Sequence, residues 1–217
     1  MKKINDKNIT QTKEAVQYFT RFIVGRTLDL GAGSAKYRDI IKDKATEYIA
    51  LDMFPGEHID VVGDVLALPF EDGSFDTVIS TQVLEHVEKP WVMIEEIFRV
   101  LKSGGICVLS CPFLAPYHPD PKDYFRYTKD GLISLFRNAG FEILECESYG
   151  KFFTTLKELV RLSFFSRFKA YKEKKQGPWA NRFLRWSQKL AAWLDGRIKG
   201  EPAVYANVYI AVKKRDQ

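Results

Sequence analysis

The sequence contains no run of 18 apolar residues, which excludes an ordinary membrane-crossing helix. Met1 is followed by Lys2, Lys3 and a polar stretch without an apolar core, so no signal peptide is expected and a cytoplasmic location is. Cysteine is scarce: Cys107, Cys111 and Cys146 form no C-x-x-C pair and lie in apolar, strand-like runs, which reads as small buried side chains in a reducing compartment. Histidine is equally scarce, with His86 and His118 near chemistry-bearing motifs and His58 apart from them. At 217 residues the chain is too short for a nucleotide-binding domain plus a separate catalytic domain of ordinary size. Nothing in its 46% hydrophobic and 28% charged content points to disorder.

What is present is organised around Leu28 to Tyr37, LDLGAGSAKY. Leu28 and Leu30 are buried-strand positions, and Gly31 and Gly33 let the backbone turn sharply with no Cβ in the way of a ligand. A dinucleotide fingerprint needs a third glycine three residues after Gly33, where a helix N-terminus meets the pyrophosphate. Lys36 stands there, which argues against NAD.

The chain alternates apolar strands and amphipathic helices around this turn. Residues 13–24 have helical spacing through Val16, Phe19, Ile23 and Val24, and a helix is expected over 36–44. Strands are expected at 48–53, 59–63, 76–81, 106–113, 141–148 and, by alternation, 205–213. Pro90 opens a helix that Lys102-Ser103-Gly104-Gly105 stops, and Thr128 caps one that runs through Asn138 and ends at Gly140. Chemistry-bearing residues at strand C-terminal ends give a doubly wound α/β fold.

The turn, with Asp29, Gly31 and Gly33, together with GDVLALPFEDGSFD and QVLEHVEKP, resembles the Rossmann-like S-adenosylmethionine-dependent methyltransferases, of the ubiquinone and menaquinone type. The resemblance covers roughly residues 13–148 and the last strand. It implies a seven-stranded, mostly parallel sheet with an antiparallel last strand, in a single domain over 1–217. The cofactor it implies is S-adenosyl-L-methionine, which carries no phosphate and so does not need the missing glycine. Its contacts then fall on Asp29, Gly31, Ala32, Gly33, Asp52, Met53, Asp64, Val65, Thr81 and Gln82. Asp52, about 20 residues beyond the glycines, would hold the ribose diol, because one carboxylate accepts from both hydroxyls. Asp64 would meet the adenine amino group, with Val65 on the ring. The family often has glycine at the place of Ala35, a mild departure if the backbone there has negative φ.

Methyl transfer from a sulfonium is an in-line displacement, so most of the catalysis comes from positioning and exclusion of water. A hydroxyl acceptor must also lose a proton, and His118 is the expected general base, with His86 lining the site. For His118 simple backbone hydrogen bonding is the competing role, and for His86 a structural one. Tyr117, Asp123, Tyr124 and Arg126 surround His118 in sequence, and Arg126 suits a phosphate or carboxylate on the acceptor. Similar loops in methyltransferases of bacterial surface-polysaccharide pathways suggest a small-molecule or glycan acceptor, including lipid-linked sugars. A quinone-type methyltransferase and a binding protein without transfer activity remain alternatives. No metal site is expected.

Residues 149–204 exceed what such a fold needs and read as a helical insertion before the last strand. Apolar residues from Phe152 to Tyr171 and from Trp179 to Ile198 recur at three and four, with Gln176-Gly177-Pro178 between them. Lys151 to Gly200 holds 13 Lys or Arg and 3 Asp or Glu, a net charge of +10, while the remainder carries −5. Three of the four tryptophans lie here. That combination suits a peripheral site on an anionic membrane surface through 151–200. Packing of the helices on each other or the core is the alternative, and no nucleic-acid partner is expected, since no such module is present.

Overall fold

The computed structural model describes residues 9–165, 178–197 and 204–215. Seven strands form one sheet: β1 (Arg26–Leu30), β2 (Glu47–Asp52), β3 (Val61–Val62), β4 (Phe75–Thr81), β5 (Leu101–Pro112), β6 (Phe141–Tyr149) and β7 (Asn207–Lys214). Their order across the sheet is β3-β2-β1-β4-β5-β7-β6. All neighbours are parallel except β7, which runs antiparallel to both β5 and β6. The expected seven-stranded, mostly parallel sheet with an antiparallel last strand is the one observed.

The helices α1 (Thr12–Phe19), α2 (Arg38–Lys42), α3 (Pro90–Val100) and α4 (Lys129–Asn138) cover the two faces. One face buries Leu28, Leu30, Val78 and Leu109 beneath Met93, Ile94 and Ile97 of α3 and Phe136 of α4. The other buries Ile79, Val108 and Tyr209 beneath Val16 and Phe19 of α1 and Ile41 of α2. Neighbouring residues of one strand thus serve opposite layers, as the two-residue period of a strand requires. Thr128 caps α4 as expected, its hydroxyl accepting from the Gly131 amide at 3.0 Å. Cys107 and Cys111 are buried free thiols, and Cys146 is a half-buried one.

Four boundaries differ most from the sequence reading. α2 begins at Arg38 rather than 36, because Ala32 to Arg38 is taken up by successive turns, Ala35 N–H to Ala32 O and Arg38 N–H to Ala35 O. β3 shrinks to Val61–Val62. β5 starts at Leu101: Phe75 pairs with Leu101 and Thr77 with Ile106, so the Lys102 to Gly105 stretch bulges within the strand instead of ending a helix in a loop. Val24 is exposed rather than packed, since α1 ends at Phe19 and a 3₁₀ turn at Phe22.

Between β6 and β7 lie α5 (Phe152–Phe165) and α6 (Pro178–Asp195), packed on each other. The buried Asp195 at the end of α6 accepts from the Phe153 and Thr154 amides at 2.8 and 2.9 Å, capping α5 from the opposite helix. Tyr149 stands opposite Asn207, and the Ala206 amide donates to Gly150 O at 2.8 Å, so the chain leaves and rejoins the sheet through one rung. The expected turn at Gln176-Gly177, and Phe168, Tyr171 and Ile198, lie outside the described residues. No helix among the described residues is long and apolar enough to cross a membrane.

Candidate active site

The strand order reverses between β1 and β4, which opens a crevice at the carboxyl ends of these strands. The glycine turn lies there. Gly31 and Gly33 have φ of +72° and +58°, and the Gly31 and Ala32 amides donate to Leu51 O at the end of β2. A Cβ on Gly31 would lie 2.4 Å from Val83 Cγ2, so the segment after β4 closes directly over the turn. A Cβ on Gly33 would meet nothing within 4 Å, so that glycine faces open space. Ala35 has φ +49°, which corrects the expectation of a mild departure: alanine in the left-handed region costs about 1–2 kcal/mol.

Asp52 ends β2 beside this open space. Its carboxylate accepts from the Gly33 amide at 2.8 Å and the Phe54 amide at 3.0 Å, which uses half of its four lone-pair positions. Met53, next to it, is exposed. The Gly63 amide donates to Asp52 O, which brings Asp64 and Val65 to the same end of the sheet. Asp64 bonds the Leu66 amide at 2.9 Å in a tight turn, while Val65 packs partly against the core. Thr81 pairs with Ser110, and Gln82, with φ +58°, donates its amide to Ser110 O.

Asp29 is the exception. It is 4% exposed and accepts from the Tyr48 hydroxyl at 2.7 Å, so it supports the turn from beneath rather than facing the crevice. Burial pushes its carboxyl up to about 6, against the lowering by Tyr48 and with a further rise from the Asp52 charge.

A second group assembles from two distant segments. Leu84–His86 forms a 3₁₀ turn after β4, and residues 114–127 return across it: the Tyr124 and Phe125 amides both donate to Glu85 O. This brings His86 and His118 edge to face, with ring centroids 5.2 Å apart. Glu85, which the sequence reading passed over, lies beneath them, fully buried, its Oε1 3.7 Å from His86 Nε2 and 3.9 Å from His118 Nε2. The facing Glu85 carboxylate raises the His118 imidazole above the ordinary histidine value, with burial acting in the opposite sense. The one sign available earlier was a Glu directly before a His after an apolar strand.

The loop's other expected site residues divide. Tyr117 and Tyr124 are exposed. Arg126 is not open to an acceptor, contrary to expectation: its guanidinium takes the Asp123 carboxylate in a two-pronged pair and also bonds Ala115 O and Pro116 O. Asp123 in turn accepts from the His118 amide at 2.8 Å, and Arg126 holds its carboxyl well below the usual range. The pair braces the loop that carries His118.

A doubly wound sheet of this strand order, with a glycine turn at the reversal, belongs to the Rossmann-like methyltransferase class of folds. Residues 28–109 match the family model of a methyltransferase domain. An uncharacterized methyltransferase of Mycolicibacterium gilvum is 37% identical over 95 residues, 38% of this chain and 37% of that protein. The chain therefore spans less than two fifths of the length of such relatives. Its structure resembles the cyclase SpnF (TM-score 0.63, 20% identity, 95% of this chain and 80% of that one). It also resembles phosphoethanolamine N-methyltransferase 2 of Haemonchus contortus, crystallised with S-adenosyl-L-methionine (TM-score 0.59, 19% identity, 95% and 52%). A cyclase among these likenesses means that fold by itself does not fix the reaction.

Proposed function

We propose that the protein is an S-adenosylmethionine-dependent methyltransferase acting on a hydroxyl of a small molecule or glycan. The observation that carries this reading is the open space over Gly33, bordered by a carboxylate with unused lone pairs and an exposed apolar side chain. Those features fit an adenosyl group. Asp52 would take the ribose diol, Met53 and Val65 the adenine faces, Asp64 its amino group, and the backbone of Gly31, Ala32 and Gly33, with Thr81 and Gln82, the amino-acid end. The cofactor supplies a methyl already activated by positive charge. The chain's work is to hold an acceptor oxygen in line and remove its proton, and His118, half exposed beside the crevice, is the base. The glycan acceptor rests on the likeness of the 114–128 loop to those of surface-polysaccharide methyltransferases.

Titration calorimetry tests the reading. S-adenosylmethionine or its demethylated product should bind, and Asp52→Ala should weaken binding by about 1.5–3 kcal/mol through loss of charged hydrogen bonds. Binding of NAD in place of either ligand overturns it.

In this reading the whole chain acts as one domain, and the helices before β7 support attachment to an anionic membrane. Phe152, Leu156 and Val160 of α5, at successive fours, are 43–48% exposed. Trp186, Leu190 and Trp193 of α6, spaced by four and then three, are 39–59% exposed, with the Arg197 guanidinium 3.2 Å over the Trp193 ring. The net +10 of Lys151 to Gly200 supports an acidic lipid partner at about 1 kcal/mol per basic residue near the surface. Lys172, Lys174 and Lys175, which lie outside the described residues, belong to this basic set, and changing them to Glu should weaken the attachment. Co-sedimentation should occur with acidic liposomes at low salt, fall at high salt and be weak with neutral ones. Equal sedimentation with both sinks the membrane reading.

A further inference from the structure

We infer that Glu85, His86 and His118 form a binding site for a divalent first-row transition-metal ion. Three independent features of the group lead there.

The first is the carboxylate. Glu85 is fully buried, and neither of its side-chain oxygens has a hydrogen-bond partner among the described residues. An unpaired buried carboxylate is strongly unfavourable, so its persistence in a folded protein asks for a cation.

The second is the way the imidazoles are held. His86 Nδ1 bonds Lys122 O, and His118 Nδ1 bonds Pro116 O at 2.8 Å. A carbonyl only accepts, so each ring carries a proton on Nδ1, and the neutral ring turns its Nε2 lone pair inward. Arg126 Nη2, 3.3 Å from His118 Nδ1, is a competing donor, but it is paired with Asp123 and is farther than the carbonyl. Anchoring one ring nitrogen on a carbonyl to free the other is how metal-bound histidines are oriented. With neutral rings the result is three acceptor atoms within 4.8 Å of one another, and no hydrogen bond to the Glu85 oxygens among the described residues.

The third is spacing. At 3.7 and 3.9 Å the Nε2 to Oε1 separations are too long for a shared proton. They are a few tenths of an ångström wider than the ~3.4 Å between ligands bonded at 2.0–2.1 Å around a tetrahedral ion. Two imidazoles and one carboxylate select Zn²⁺, Co²⁺, Fe²⁺ or Mn²⁺ over the all-oxygen preference of Mg²⁺ and Ca²⁺.

The group grades outward. The side-chain exposure is 0% for Glu85, 14% for His86 and 43% for His118, which leaves the ion open on the solvent side. Three protein ligands and an open position are the arrangement of catalytic ions. An acceptor hydroxyl bound there would lose its proton to water more readily, ahead of attack on the methyl carbon. That use rests on the methyl-transfer reading; the site does not. With an ion in place the His118 lone pair is engaged, and the metal assumes the role given to the base.

The test uses the untagged chain dialysed against chelator. Zn²⁺ is titrated calorimetrically and Co²⁺ by its visible absorption, with S-adenosylmethionine titrated separately. One ion per chain should bind, and His118→Ala and Glu85→Gln should each weaken binding at least about 100-fold. His118→Ala alters a half-exposed loop residue and should keep its cofactor affinity, which certifies its fold. No saturable ion uptake, or uptake unchanged in His118→Ala, overturns the site. Ion binding without cofactor binding instead refutes the methyl-transfer reading and leaves the site standing.

Discussion

The two halves of the crevice are built by different means. The turn half is made of backbone: Gly31, Ala32 and Gly33 present amides, and Leu51 and Asp52 of the adjacent strand receive them. The histidine half is made of side chains from segments more than 30 residues apart, joined by amides of Tyr124 and Phe125 on Glu85 O. Backbone sites depend on conformations that few residues adopt, whereas side-chain sites depend on a loop arriving at the right place. Val83 links them, since it covers Gly31 two residues before Glu85 begins the second half.

The strongest way to break the comparison is Gly31→Ala. Its Cβ meets Val83 at 2.4 Å at a φ of +72°, so overlap adds to strain. A loss of about 3 kcal/mol or more in denaturant unfolding is expected, with both halves disturbed through Val83. A fully stable variant would mean that the 82–86 segment does not rest on the turn.

Asp29→Asn sharpens the comparison through pH. The buried carboxyl keeps its proton in the folded protein up to about 6, whereas the unfolded chain releases it near 3.8. Between those values the folded state holds more protons, so wild-type stability falls as pH rises and is level above about 6. The shift is worth at most about 3 kcal/mol, and Asn, which still accepts from Tyr48, should be free of this fall. Unfolding curves at pH 4 and pH 7 measure it, and parallel behaviour of the two proteins would contradict a neutral, buried Asp29.

Gly33→Ala is the mildest change. With φ +58° but no atom within 4 Å of the new Cβ, only about 1–2 kcal/mol of strain is expected. Cofactor affinity should drop while the Zn²⁺ titration stays unchanged, which separates the halves. Coupled losses would show that they act as one unit.

This division also explains what was legible in the sequence. The strands and the turn follow from local signals: glycine spacing, strand periodicity, and an acid about 20 residues on, while the antiparallel last strand followed from the family resemblance. Ala35 escaped because a sequence does not reveal that a non-glycine residue will be held at positive φ by turns on either side. The bulge at Lys102 to Gly105 escaped because two glycines after a helix read as its end, and only pairing with β4 turns them into strand. Glu85 was passed over because burial is a tertiary fact, and an acid beside a histidine reads locally as solvent-facing. Arg126 was misjudged for the same reason: its partner, Asp123, is three residues away, but the carbonyls that complete its shell belong to Ala115 and Pro116.

The single rung at Gly150 and Ala206 has an evolutionary consequence. Since the chain departs and returns at bonded neighbours, whatever lies between them closes a loop whose ends the sheet already holds. Doubling the length of such a loop costs only about 0.6 kcal/mol in closure entropy. The rung therefore lets the segment between its ends lengthen or be exchanged without altering the sheet that carries the crevice.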